Sequence, residues 1–437
     1  MSRRVILSWA VVVLLQTSTA WAQIPFARDL VPTRTALGRL GLEQHWMVAV
    51  PLGSGETLKV ISIAEGFIFA QTSLGNFHAV EAETGRVLWS ANLGTQSAEP
   101  QPASVNSTSV FVTNLNRLFR LDRITGRIIW VKELDTLPST PTSCTDDCVM
   151  IGLQNGKVYG FGLKTIDNDR HLVDDRAIEI WNWQTDLSIR TRPLLTPTMA
   201  FAGSDDGKIY AALAKERVLL FRILTGGAIG EGFGTVGTRM LIASSADRKV
   251  YGIDIFEPKI VWVFPSGAPV IQAPLVADND IYVVNKLGEL SSLESKTGTA
   301  KWTTSTLGGR LIAIGEKRIY LESHDEDLFI VDRATGKLLA DPRETRQRAG
   351  LNLRSFDLGI TNSINDRIYL GTTSGLLLSL REIGETTPRP LKNPLDKPFT
   401  YVAVEGESMK ADGDKPPAAA PSEPPATPEE PPAEEPK

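Results

Sequence analysis

Hydrophobic and polar positions alternate in short stretches along most of this chain, and each stretch ends at a polar turn. The unit is clearest at residues 77–85, 118–126 and 290–298, where each copy ends in Thr-Gly and a tryptophan follows four residues later. A weaker copy at residues 328–336 leads to Leu339 instead. Alternation with a period of two predicts β-strands. Glycine supplies the positive φ that tight turns between such strands require.

The large apolar residue of each unit indicates a repeat of about 40 residues. Successive anchors are 37 to 53 residues apart, and they lie at Trp46, Trp89, Trp130, Trp183, Phe221, Trp262, Trp302 and Leu339. A period near 40 with several short strands per unit is typical of a β-propeller. Because the tryptophans recur at one place in the unit, we expect them to pack blade against blade rather than to hold a cofactor. Trp181 shares a face with Trp183, and we assign it to packing rather than to a sugar-binding platform.

Counting the inner strands predicts the number of blades. Sets of inner strands begin near residues 58, 97, 138, 190, 229, 268, 309 and 353, which makes eight. The last set has no outer strand after it, whereas residues 44–51 form an outer strand with no inner set before it. Pairing the two ends removes both exposed edges. We therefore predict an all-β fold, an eight-bladed β-propeller over residues 43–384, closed by an N-terminal strand that completes the last blade.

Both ends of the chain differ in composition from the repeat. Arg3 and Arg4 precede an apolar run, and small residues follow up to Ala22, so we expect residues 1–22 to be a cleaved signal peptide and the protein to reach the periplasm or cell envelope. We favour the ordinary secretory route over twin-arginine export because a longer polar leader is missing. Residues 23–42 are a predicted lead-in, and residues 385–404 a Pro-rich linker. Residues 405–437 are an acidic Pro/Ala/Glu tail that we expect to be disordered.

The charge distribution argues against some partners. The formal net charge is −5, and the tail holds nine acidic and three basic residues, a balance of −6. When the acidic tail and the two arginines of the signal peptide are left out, the net charge of the propeller itself is close to zero. A near-neutral body argues against nucleic acid or an anionic membrane as the partner. No stretch after the signal peptide approaches the roughly 20 apolar residues that a membrane helix needs, so we expect no direct membrane insertion.

The two cysteines, Cys144 and Cys148, flank Thr-Asp-Asp in a predicted hairpin turn. An oxidising compartment favours a disulfide between them. Closing so small a loop would contribute only about 2 kcal/mol. Residues 164–180 lengthen the third blade with an Asp- and Arg-rich segment, which we interpret as a solvated loop. Calcium at Asp167 and Asp169 is the alternative, although no complete set of oxygen ligands is evident there.

Motifs of common enzymes are missing from the sequence. It has no haem-attachment C-x-x-C-H, no G-x-S-x-G elbow, no H-E-x-x-H and no phosphate-binding loop. We therefore assign no catalytic, metal or cofactor residues. A propeller can also build a site in its central channel from many blades without a local motif, so a catalytic function stays open at this point.

The unit with Thr-Gly followed by tryptophan resembles the quinoprotein repeat of PQQ-dependent dehydrogenases, which propellers that bind no quinone share. The resemblance covers residues 43–384. Eight blades with short connections are most similar to the BamB family, the propeller subunits of the machinery that assembles outer-membrane β-barrels. This resemblance implies a non-catalytic periplasmic scaffold that binds envelope proteins, without a cofactor, as a monomer within that complex.

The resemblance also implies which residues contact the partner. A Leu-Ser-Leu-Arg stretch between the third and fourth blades of that family contacts the central barrel subunit, and residues 187–190 read Leu-Ser-Ile-Arg. Of the family's Asp-x-Asp pair in the next connection, only Glu231 keeps a carboxylate. The candidate contacts are thus Leu187, Ile189, Arg190 and Glu231. From the residues alone, Leu187 and Ile189 form either an exposed apolar anchor with a charged rim or the start of a strand that points into the core.

Two features depart from the resemblance. No cysteine lies near the predicted cleavage site, so a lipid anchor of the kind that the family carries is not expected. The acidic tail is an addition to the family's pattern. Two other functions remain as alternatives, a PQQ-dependent dehydrogenase-like enzyme and a ligand-sensing or polysaccharide-associated envelope propeller.

Overall fold

The computed structural model describes residues 31–95, 99–163, 165–166, 172–173, 177–306, 309–323, 325 and 327–392. The predicted signal peptide, the predicted tail and the candidate calcium ligands Asp167 and Asp169 lie outside these residues. The first element is a short helix, α1 (Arg34–Arg39), which is capped by the Thr33 hydroxyl. Strand β1 (Leu42–Ala49) follows it.

Four blades follow β1 in chain order, and each is an antiparallel sheet of four strands. Blade 1 contains β2 (Leu58–Ala64), β3 (Phe67–Thr72), β4 (Asn76–Glu81) and β5 (Val87–Asn92). Blade 2 contains β6 (Ser104–Val105), β7 (Ser109–Asn114), β8 (Arg117–Asp122) and β9 (Ile128–Glu133). Blade 3 contains β10 (Ser143–Cys144), β11 (Cys148–Gly152) and β12 (Lys157–Gly162), then a separate ladder of β13 (Thr165–Ile166) and β14 (Leu172–Val173), and finally its outer strand β15 (Ile178–Gln184). Blade 4 contains β16 (Leu194–Leu195), β17 (Met199–Gly203), β18 (Lys208–Leu213) and β19 (Leu219–Leu224).

The remaining blades continue the same pattern. Blade 5 contains β20 (Ile229–Val236), β21 (Met240–Ser245), β22 (Lys249–Asp254) and β23 (Lys259–Pro265). Blade 6 contains β24 (Leu275–Ala277), β25 (Asp280–Val284), β26 (Glu289–Glu294) and β27 (Ala300–Ser305). Blade 7 contains β28 (Arg310–Ile314), β29 (Arg318–Glu322), β30 (Leu328–Asp332) and β31 (Leu338–Ala340), and a π-helical turn (Arg343–Arg348) follows it. Blade 8 contains β32 (Leu358–Gly359), β33 (Ile368–Gly371) and β34 (Leu376–Glu382), with β1 as its outer strand.

The closure of the ring is the predicted one. β1 pairs antiparallel with β34 in a register that runs from Leu42 opposite Glu382 to Ala49 opposite Leu376. The first strand of the chain therefore completes the last blade. This confirms the predicted all-β, eight-bladed propeller.

Tryptophans of the outer strands connect neighbouring blades, and the contact explains the Thr-Gly motif. The indole N–H of Trp46 donates to the Ala82 carbonyl at 2.9 Å, and that of Trp89 donates to the Arg123 carbonyl at 2.9 Å. Each ring covers the turn glycine of the next blade. A Cβ on those glycines would lie 2.3 to 2.6 Å from ring atoms, and their φ values are +68° to +73°; they are Gly85, Gly126, Gly298 and Gly336. Space and backbone conformation thus both require glycine there.

In blade 3 this position is occupied by Trp181, not by Trp183 as the anchor spacing predicts. Trp181 pairs with Gly160 just before a register irregularity, as Trp262 pairs with Gly252 in blade 5. The Trp181 indole is buried and donates to the Ala214 carbonyl of blade 4 at 2.9 Å. Trp183 stacks on it, with ring centroids 4.2 Å apart. The segment inserted before β15 hides this register from the sequence pattern.

The other predicted packing tryptophans lie between blades. Trp262 and Trp302 donate to the Ser295 and Arg333 carbonyls of the following blades at 3.0 Å and 3.2 Å. Trp130 packs against the apolar core shared by blades 2 and 3, with its ring 6.1 Å from that of Phe111. Each outer-strand tryptophan is therefore part of the apolar contact between one blade and the next.

The described part of the predicted linker packs against the propeller. Pro390 forms an isolated β-bridge with Asn365, and the Leu391 carbonyl accepts a hydrogen bond from Asp278 N–H at 2.9 Å. Leu391 also joins the buried apolar cluster of blades 6 and 7. Residues 385–392 thus follow the surface of the ring rather than leave it, because an apolar leucine among the prolines provides a packing contact.

Cys144 and Cys148 are free thiols in the structure, so the predicted disulfide is not formed there. Cys144 lies opposite Val149 in the β10–β11 pair, which places Cys148 on the other face of the sheet. Cys144 packs against the core between blades 2 and 3, whereas Cys148 belongs to the core between blades 3 and 4. The hairpin spacing is compatible with a disulfide, but the strand register separates the two side chains.

We expect both thiols to remain free and slow to react in the folded protein. Burial raises the pKa of Cys144 to about 12 and also raises the pKa of Cys148, so both are protonated at neutral pH. Alkylation without reductant should modify neither thiol rapidly in the native state, and both after unfolding in concentrated guanidinium chloride. Mass spectrometry distinguishes these states. An unfolded chain that takes up alkylating agent only after reduction would contradict the free-thiol structure.

Candidate protein-binding face

The connection between blades 3 and 4 is held in place by neighbouring turns. The Thr185 hydroxyl lies 2.9 Å from the Gly156 carbonyl and donates to the Leu187 carbonyl at 2.5 Å. The Ser188 hydroxyl donates to the Gln154 carbonyl at 3.1 Å. These bonds tie residues 185–188 to the β11–β12 turn of blade 3. The connection therefore presents its side chains from a fixed backbone.

Leu187 and Ile189 have opposite environments. The Leu187 side chain is 54 % exposed, whereas Ile189 is fully buried beside Gly152 and in the core between blades 3 and 4. Neither residue is in a strand. The exposed-anchor interpretation thus applies to Leu187 alone. Ile189 cannot contact a partner directly, and it anchors the connection to the core.

Arg190 forms an ion pair that the sequence did not suggest. Its Nε lies 3.0 Å from Oδ2 of Asp205, and the arginine side chain is 77 % exposed. Asp205 belongs to the β17–β18 turn, and its N–H donates to the Ser188 carbonyl at 2.9 Å. Turns between second and third strands lie at the same end of each blade as the connections between blades. The Asp-Asp-Gly turn of blade 4 and the connection that carries Arg190 therefore lie at the same end of the ring, close to each other.

A cavity of about 520 Å³ opens at this end of blades 2 to 4. Its walls combine amide side chains with apolar ones and include Gln101, Asn114, Leu137, Gln154, Ser188 and Arg190. The Asn114 amide is fixed by donation to the Leu93 carbonyl at 3.0 Å. Preformed walls of mixed polarity, beside an exposed leucine and arginine, fit a polypeptide segment better than a compact apolar ligand.

Glu231 lies in a different place from the other candidate contacts. It is exposed on β20 and lines a second cavity, at the centre of the ring. Its carbonyl accepts a hydrogen bond from Arg192 N–H at 3.0 Å. The structure therefore does not bring Glu231 into the cavity of Ser188 and Arg190. The carboxylate beside Arg190 is that of Asp205.

The fold and the repeat agree with a sequence comparison. The family model described as outer membrane protein assembly factor BamB matches residues 32–227 and 183–413, which together span most of the chain. The chain belongs to the BamB family. No curated protein sequence matches it.

Solved structures similar to this BamB-family chain share its fold. BamB from Moraxella catarrhalis has a TM-score of 0.60 at 17 % sequence identity, covering 78 % of this chain and 98 % of that one. The computationally designed Ika8 protein has a TM-score of 0.56 at 13 % identity, covering 77 % and 99 %. Identities this low support the propeller architecture and carry no information on individual contacts.

The described residues of this BamB-family chain were compared with the requirements of a metal site and of a membrane-spanning helix. Among these residues, no three histidine, cysteine, aspartate or glutamate side chains are grouped so that they could hold a metal ion. Within the same ranges, no helix is long and apolar enough to cross a membrane. The exposed Leu187 and Arg190 lie beside the 520 Å³ cavity and form the candidate site on this face.

Proposed function

We propose that this chain is a non-catalytic periplasmic scaffold that supports the assembly of outer-membrane β-barrel proteins. It binds a protein subunit of the assembly machinery through Leu187 and Arg190. The observation that carries the proposal is the exposed leucine beside the Arg190–Asp205 pair, at the edge of a preformed cavity, in a chain of the BamB family. The predicted signal peptide supports the periplasmic location.

The two side chains have complementary roles in this proposal. Burying a fully exposed leucine contributes about 1.5–3 kcal/mol, and Leu187, which is 54 % exposed, can gain about half of that. The ion pair with Asp205 engages Nε of Arg190, and the terminal amino groups of this exposed side chain are available to a carboxylate or carbonyl of the partner. An apolar anchor next to an arginine is a common composition for the centre of a protein interface.

We expect the double substitution Leu187→Ala, Arg190→Glu to weaken partner binding at least about tenfold, since it removes an apolar contact and reverses a charge. Melting temperature should barely change, because both side chains are exposed. The measurement is co-isolation of barrel-assembly subunits from detergent-solubilised envelopes, compared with wild type.

The matched control is Leu287→Ala, Lys286→Glu. These residues occupy the β25–β26 turn, at the same end of the ring but on blade 6, and Leu287 is 64 % exposed. The control should retain the assembly subunits. If both variants retained the assembly subunits equally well, Leu187 and Arg190 would not be part of the interface. Absence of these subunits from the wild-type isolate, or stabilisation of the protein by PQQ plus calcium, would contradict the scaffold function itself.

A further inference from the structure

The innermost strands surround a central channel that contains a cavity of about 380 Å³. Residues from seven of the eight blades line it, so it is a feature of the whole ring. Arg192, which lies just before β16, is part of its wall, together with Cys144 and Lys392. This cavity is separate from the one beside Ser188 and Arg190.

Arg192 presents a charge to this channel without a protein counter-ion. Its backbone N–H donates to the Glu231 carbonyl, but no carboxylate among the described residues pairs with its guanidinium. Burial lowers the pKa of Arg192. By contrast, the partly buried Arg333 and Arg346 pair with Asp278 and Asp327 at 2.7 Å and 3.1 Å. Arg192 is half-buried in the channel wall, and a charge partly withdrawn from water is unfavourable unless a counter-ion or ligand compensates it.

The groups around Arg192 are compatible with an anion. The Cys144 thiol is neutral, because burial raises its pKa to about 12. Lys392 brings a second cation to the lining, and its Nζ lies 2.9 Å from the Thr235 hydroxyl. The two carboxylates of the lining, Glu65 and Glu231, are both solvent-exposed. Arg192 is thus less exposed than either carboxylate of the channel wall.

We propose that the central channel binds a small free oxyanion, a phosphate or a carboxylate compound, through the guanidinium of Arg192. A planar guanidinium can donate two parallel hydrogen bonds to such a group, which a lysine cannot do. A cavity of about 380 Å³ has room for a small molecule but not for a folded partner. The site is independent of the protein-binding face, and its ligand does not require the assembly function.

Isothermal titration calorimetry with inorganic phosphate and with citrate tests this proposal on the purified mature protein. Saturable binding of at least one probe is expected, and Arg192→Gln should weaken it at least about tenfold, because hydrogen bonds between charged partners are lost. Arg217→Gln is the matched control, since it removes the same charge from an exposed position between β18 and β19 of the same blade, outside the channel. Arg192→Gln should fold normally, because it removes an unpaired charge rather than a contact.

Protection of Cys144 from alkylation gives a second measurement of binding, which does not depend on the heat released when the ligand binds. In a Cys148→Ala background, a bound oxyanion should slow alkylation of Cys144, and Arg192→Gln should abolish the slowing. Binding of neither probe to wild type would overturn the proposal. Equal affinity of the Arg192→Gln and Arg217→Gln variants for a bound probe would overturn it as well, since the ligand would then lie elsewhere.

Discussion

A chain that begins at Val50 is expected to lose the folded propeller, because it lacks the strand that completes blade 8. The deletion removes β1 from its pairing with β34 and also removes the buried Leu37, Leu42 and Trp46. Burial of a leucine contributes about 1.5–3 kcal/mol, and loss of a buried tryptophan costs about 3–5 kcal/mol. Together these losses are comparable with the roughly 5–15 kcal/mol by which most domains are stable.

Circular dichroism and size-exclusion chromatography measure this outcome. A chain that begins at Val31 is the matched control, because it keeps α1 and β1, and it should unfold cooperatively. A synthetic peptide of residues 31–49 should restore a cooperative transition to the shortened chain by pairing with β34. Closure by β1 would be dispensable if the chain from Val50 unfolded at the same temperature as the control.

Trp181→Ala is expected to destabilise the protein by about 3–5 kcal/mol, the usual cost of removing a buried tryptophan. The substitution removes the ring that covers Gly160 and the hydrogen bond to the Ala214 carbonyl of the next blade. Trp183→Ala should cost less, about 1–2 kcal/mol, because this ring is only partly buried and mainly stacks on Trp181. Chemical denaturation followed by circular dichroism compares the two variants.

The order of these two effects tests the register of blade 3. Each substitution removes one indole from β15, and the two positions are two residues apart. Each variant is therefore the control for the other. A larger loss of stability for Trp183→Ala would show that Trp183 occupies the blade-packing position, as the anchor spacing predicts. Equal losses would show that the stacked pair acts as one packing unit.

The fold could be predicted from the sequence because its local determinants recur. The turn glycines Gly85, Gly126, Gly298 and Gly336 each lie against the tryptophan ring of the preceding blade, so both residue types recur in every such blade. A repeated motif reveals its period even where single copies are weak. The unpaired strand at each end of the repeat then implied ring closure, which the β1–β34 ladder confirms.

Features that depend on strand register could not be predicted in the same way. A change of one residue in the pairing of two strands exchanges the faces on which their side chains lie. Cys144 pairs with Val149 rather than with Cys148, and the two thiols therefore lie on opposite faces of the sheet. The insertion before β15 similarly concealed that Trp181, rather than Trp183, occupies the packing position. Residue types and spacing alone do not determine either register.

The candidate site was only partly accessible to sequence reasoning. Leu187 and Arg190 could be chosen from the resemblance, but the burial of Ile189 in the core between blades 3 and 4 depends on the path of the connection. The ion pair of Asp205 with Arg190 could not be predicted, because it joins two loops that only the ring brings together. The proposed Arg192 site was missed because its lining comes from several blades, and only the structure shows that no described carboxylate pairs with the guanidinium.

Site-specific photo-crosslinking in intact cells tests the protein-binding face most directly. A photoreactive amino acid at position 187 should form a crosslink to a subunit of the outer-membrane barrel-assembly machinery. The same amino acid at position 287, which is also exposed at the same end of the ring, should not. Crosslinks to that subunit from position 287 and not from position 187 would place the interface elsewhere. Absence of any such crosslink from both positions, with the protein present at normal levels, would contradict the proposed scaffold function.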